Sequence, residues 1–152
     1  MGNSNSRTAV SVDTYLESNL ESVDQAEESV IGVAQQMGFP EEEVYRVGMA
    51  VREAMVNAVV HGNRYNANKR VRLEVLKRDG DLIIKITDEG IGFRPEEQPD
   101  PLAEENLLRQ SGRGMMLIRA FVDEFVVQPA KAGGTEAIIR KTVPTPEDVS
   151  DL

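Results

Sequence analysis

The chain has 152 residues, 40% of them hydrophobic and 28% charged, which is room for one domain with a real core and too apolar a mix for a disordered polymer. It has no cysteine and a single histidine, His61, so a disulfide framework, a thiolate redox centre and an imidazole-built zinc site are excluded. The formal net charge is −9, and residues 8–45 carry all of it, with nine acids and no Lys or Arg; such a face repels phosphates and argues against direct nucleic-acid binding, while suiting a basic protein partner.

Residues 1–7 are polar and read as a flexible tail. Thr8 to Tyr15, with Ala9, Val10 and Val12, reads as a strand. Ser18 followed by Glu21 has the form of a capping box. Behind it Val23, Ala26, Val30, Val33 or Ala34, and Met37 recur at three and four, predicting a helix over 19–37 that Gly38 stops. Pro40 opens a second helix, with Glu41 to Glu43 in the turn where the dipole favours acids. Its buried stripe is Val44, Val47, Val51, Ala54 or Met55, and Ala58, and its end falls near Gly62.

The period then changes from 3.6 to 2. Val71, Leu73 and Val75 alternate with Arg70, Arg72 and Glu74, Asp79-Gly80 is a hairpin signal, and Leu82 to Thr87 returns. Asp88 to Gly114 has no regular period and is too long for an idle connection. Met115 to Phe121 reads as a short helix, and Phe125–Val127 and Ala137–Val143 as two strands around a Gly133-Gly134 turn. Residues 144–152 read as a second flexible tail. No apolar run approaches the roughly 18–20 residues of a membrane span, and no apolar signal segment opens the chain. The expectation is a cytoplasmic protein without membrane contact.

Three segments carry chemistry. Glu53, Asn57 and His61 are spaced i, i+4, i+8 on the second helix, which lines them on one face. There a carboxylate can take a proton and a carboxamide oxygen can ligate a hard cation without adding charge. Asp88-Glu89-Gly90-Ile91-Gly92 directly follows a strand; its aspartate can accept from an exocyclic amine, and its glycines admit a ligand close to the backbone. Ser111-Gly112-Arg113-Gly114-Met115 precedes an apolar helical run, where backbone N–H groups can face a polyphosphate.

The order of these segments, with Gly134-Thr135 as a fourth, resembles the GHKL ATPase superfamily over residues 8–143. A histidine kinase would need an upstream hairpin with a phospho-accepting histidine, and gyrase or MutL relatives a transducer domain, so the expectation is a free-standing module. The wording Arg-Glu-Ala-Met-Val-Asn-Ala-Val-Val-His-Gly, Asp-Glu-Gly-Ile-Gly-Phe and Ser-Gly-Arg-Gly-Met is similar to the bacterial anti-sigma-factor serine/threonine kinases. That resemblance implies an α+β two-layer sandwich, with a mixed, mostly antiparallel sheet and helices on one face, and an ATP lid over 93–112.

It implies ATP and Mg²⁺ as ligands, with Glu53 as general base and Asn57 as the metal ligand. Asp88 would read the adenine amine in a pocket shaped by Gly90 and Gly92 and backed by Thr135. Gly112, Arg113, Gly114 and Met115 would cover the phosphates, and His61 would either line the phosphate side or close the helix. The implied partners are a sigma factor, a STAS-domain anti-anti-sigma protein that is phosphorylated, and a second copy of the chain. A non-catalytic sequestering module and a detached histidine-kinase catalytic domain are the alternatives. The first helix contains no Arg or Lys, so a cation on the transferring phosphoryl group has to be Arg109, Arg113 or a residue of the substrate protein.

Overall fold

The computed structural model describes residues 8–90 and 110–144, with side chains in the second stretch from Met115 onward. The period-2 segments pair as expected. Strands β1 (Thr8–Glu17), β2 (Arg70–Arg78), β3 (Asp81–Thr87), β4 (Glu124–Pro129) and β5 (Thr135–Thr142) form one sheet in the order β1-β2-β3-β5-β4. All four pairings are antiparallel, so the parallel element of a mixed sheet does not occur among the described residues.

The register places Leu16 opposite Val71, Leu73 opposite Ile86, Val75 opposite Ile84, and Ile84 opposite Ile139. Alternate residues of the central strands therefore share one apolar face. On the other face Arg72 pairs with Asp13 and Glu74. Edge strand β1 carries an irregularity between Val10 and Val12, of the kind that blunts an exposed edge.

Helices α1 (Leu20–Met37), α2 (Glu41–Val56) and α3 (Gln110–Phe121) cover the apolar face. Val23, Ala26, Val30, Val33 and Ala34 of α1 and Val44, Val47, Val51, Ala54 and Met55 of α2 are buried. They meet Leu73, Ile84, Ile86, Ile118 and Ile139 in one core. This is an α+β two-layer sandwich. No helix among the described residues is long and apolar enough to cross a membrane.

Several local expectations change. The cap of α1 is Asn19 rather than Ser18: Asn19 Oδ1 accepts from the Ser22 N–H at 3.0 Å. Ser18 is drawn away because its hydroxyl donates to the Lys69 carbonyl at 2.6 Å, across to the approach of β2. Gly38 ends α1 at φ 91°, in the left-handed region. Helix α3 starts at Gln110, earlier than Met115, so Gln110 to Gly114 are helical in spite of two glycines. Intrinsic propensity is a weak prior where tertiary packing decides, and α3 packs along α2 with Ile118 fully buried. The tails 1–7 and 145–152, and residues 93–109 of the expected lid, lie outside the described residues.

Asn19→Ala should lower the unfolding free energy by about 1 kcal/mol, the usual effect of losing an N-cap. Urea denaturation measures this, and Glu21→Ala should shift the midpoint less because its side chain closes no capping box.

Candidate functional site

Glu53 lies in the last turn of α2, and Asn57 opens the π-helical turn Asn57–Gly62 that continues it. Glu53 Oε2 and Asn57 Oδ1 are both buried and both lack a hydrogen-bond partner among the described residues. A buried oxygen left without a donor costs on the order of 1–3 kcal/mol. Two such oxygens lie on successive turns of one helix.

The π turn alters the expected i, i+4, i+8 spacing: its i→i+5 bonding widens the turn, so His61 and Gly62 fall on either side of the direction of Asn57. His61 is exposed, whereas Glu53 Oε2 and Asn57 Oδ1 are buried. The extra residue carries Gly62 and Asn63 up to the end of β3, where a Cβ on Gly62 would overlap the Asp88 carboxylate and one on Gly90 would overlap the Gly62 carbonyl. Helix end and loop therefore touch backbone to side chain with no room for larger residues.

Asp88 is 6% exposed. Its Oδ1 accepts from the Gly90 N–H at 2.9 Å and from the Thr135 N–H at 3.1 Å. Its own N–H donates to the Thr135 carbonyl at 2.9 Å. Among the described residues these bonds leave Oδ2 as the acceptor still available. Burial pushes the carboxyl above the ordinary 3.8, against the Gly90 and Thr135 N–H groups and the Lys69 charge, which pull it down. Gly134 sits directly behind: its φ is 90°, and a Cβ there would overlap the Asp88 carbonyl.

Asp88, Gly90 and Thr135 are thus brought together, and Gly62 joins Asp88 to the helix of Glu53 and Asn57. Gly112, Arg113, Gly114 and Met115 lie in the first turns of α3, with Met115 half-buried. Gly92 and Arg109 lie outside the described residues. Gly62 and Asn63 are the contributors that sequence reasoning did not assign: Gly62 reads only as the end of the helix and Asn63 as the start of a polar loop.

The sequence profile of the histidine kinase-like ATPase domain matches residues 16–141. The chain belongs to that family. Among curated relatives of the ATPase domain, the anti-sigma F factor of Clostridium acetobutylicum is 36% identical over 109 residues, 70% of this chain and 76% of that protein. The anti-sigma F factor of Geobacillus sp. (strain WCH70) is 34% identical over 104 residues, 67% of this chain and 71% of that protein. Among solved structures, the RsbU and RsbW domains of Rv1364c from Mycobacterium tuberculosis align with a TM-score of 0.62 at 16% identity, covering 89% of this chain. This chain spans about a third of that one, 33%. The catalytic domain of histidine kinase ThkA aligns with a TM-score of 0.53 at 11% identity, covering 87% of this chain and 97% of that one. Both share the fold of the ATPase domain.

Gly134→Ala should destabilise the domain by about 1–3 kcal/mol, the range for a side chain forced into an unfavourable backbone region. Thermal unfolding reads that loss. An Ala at the exposed Gly80, where a Cβ meets nothing within 4 Å, is the matched control.

Proposed function

We propose that this protein is an ATP- and Mg²⁺-dependent serine/threonine kinase of the cytoplasm. It binds a sigma factor and phosphorylates a STAS-domain anti-anti-sigma protein, acting as a homodimer. The observation that carries the reading is the pair of unpartnered buried oxygens, Glu53 Oε2 and Asn57 Oδ1, on the helix whose end abuts Asp88. The relatives named anti-sigma F factor support the sigma-factor partner.

The residues fit the ligands. Asp88 Oδ2 is the acceptor for the adenine amine, and the glycines around it let the backbone close tightly on that carboxylate. Asn57 Oδ1 is the protein ligand for Mg²⁺, a cation that takes one or two protein oxygens and completes its shell from phosphates and water. No cluster of three metal-ligating acids or histidines exists among the described residues. When bound, the cation neutralises charge on the phosphate oxygens. Glu53 accepts the proton of the attacking hydroxyl, whose oxygen bonds to the γ-phosphorus as the bond to the ADP oxygen breaks. The first turns of α3 offer N–H groups toward the phosphates.

Incubation with labelled ATP and candidate STAS-domain proteins tests the activity. Glu53→Ala should keep ATP affinity near wild type and slow phosphoryl transfer about 10²–10⁴-fold, the range for loss of a general base. If the wild type binds ATP and a sigma factor but labels no STAS protein, the protein is a sequestering module instead.

The raised carboxyl of Asp88 sets a pH dependence. As pH falls, the folded protein protonates Asp88 before the unfolded chain does, so this group adds stability on acidification. The proton nevertheless converts Oδ2 from acceptor to donor. ATP affinity should weaken on acidification with a midpoint above 3.8, beyond the titration of ATP itself. In Asp88→Asn that extra dependence should vanish, which calorimetry across pH can check.

A further inference from the structure

Asn63 is a polar side chain with 2% exposure and a full set of partners. Its Nδ2 donates to Ser18 Oγ at 2.9 Å and to the Arg70 carbonyl at 3.0 Å. Its Oδ1 accepts from the Glu89 N–H at 2.8 Å. Ser18 in turn donates to the Lys69 carbonyl, so its oxygen is free to receive Asn63. One amide thereby joins the β1–α1 junction, the start of β2, the end of the π turn and the loop after β3. A buried amide with both hydrogens and its oxygen engaged holds a single orientation.

The bond to Glu89 matters most. It fixes the peptide between Asp88 and Glu89, and the next N–H, that of Gly90, donates to Asp88 Oδ1. The rotation of that peptide decides where Gly90 points and so where Oδ2 is aimed. We propose that Asn63 is the positioning residue for base recognition, holding the Asp88–Gly90 loop so that the Asp88 acceptor faces the exocyclic amine of adenine. This rests on the reading of Asp88 as that acceptor. Asn63 touches no ligand itself; it acts through the Glu89 peptide, braced from behind by Ser18.

A structural role would lower stability and weaken every nucleotide alike. A positioning role lowers discrimination between bases. ITP has a carbonyl where ATP has the amine, so it offers Asp88 an acceptor where a donor is needed. Dissociation constants for ATP and ITP, measured by calorimetry on wild type, Asn63→Ala and Ser18→Ala, separate the two roles. Wild type should prefer ATP at least about tenfold, the effect of one hydrogen bond to a charged group. Asn63→Ala should bring the ratio to within about twofold of one, and Ser18→Ala should lower it about two- to threefold. A folded Asn63→Ala protein that keeps the wild-type ratio overturns the proposal. If Asn63→Ala does not fold, an unchanged ratio in Ser18→Ala overturns it. No preference in the wild type would instead remove Asp88 as the adenine acceptor, and the inference with it.

Discussion

The Asp88 carboxylate holds this site together by being buried and only half spent. Oδ1 takes two backbone N–H groups, from Gly90 in its own loop and from Thr135 at the start of β5. The Thr135 carbonyl takes the Asp88 N–H in return. Removing water from the carboxyl destabilises its charged form, and the donors on Oδ1 compensate for part of that. Among the described residues, Oδ2 remains as an acceptor. The same crowding explains why Gly62, Gly90 and Gly134 surround it, since a Cβ on any of them overlaps Asp88 or its neighbours.

Much of this was legible in the sequence, for reasons that can be named. Strand β2 alternates from Arg70 to Val75 and is followed by Asp79-Gly80, so the hairpin with β3 could be read from period and turn chemistry together. Asp88, Gly90 and Thr135 carried recognisable motif wording, and the structure brings them into contact. What could not be read was whatever depends on partners distant in the chain. Ser18 and Asn19 are both good caps, and the choice falls on Asn19 because Lys69, 51 residues away, takes the Ser18 hydroxyl. The π turn leaves no periodic signature, since its six residues continue an apolar helical pattern. Asn63 reads as the start of a polar loop until Ser18, Arg70 and Glu89 arrive around it.

The acidic N-terminal third is similarly altered by folding. Of its nine acids, Asp13, Asp24, Glu27, Glu42 and Glu43 are paired with bases from later in the chain: Arg72, Arg52, Arg46 and Lys141. Most of these pairs are exposed and worth little individually. Lys141 with Glu43 is different, with both side chains largely buried at 2.6 Å and the ammonium also donating to the Phe121 carbonyl. It ties the start of α2 to the end of α3 and to β5. The acids left facing water lie mainly on α1 and the first turn of α2, which narrows the surface available to a basic partner.

The strand order has a consequence for how the protein is made. Strand β5 lies between β3 and β4, so on the ribosome β3 has one edge unpaired until residues 135–142 emerge. Strand β4 appears earlier in synthesis but has no neighbour until the same moment. An open apolar edge during translation invites pairing with other chains. A chain interrupted before Thr135 therefore loses half of the backbone clamp on Asp88 and the closure of its sheet in a single event. Premature termination should yield an aggregation-prone fragment rather than a weakened ATPase domain.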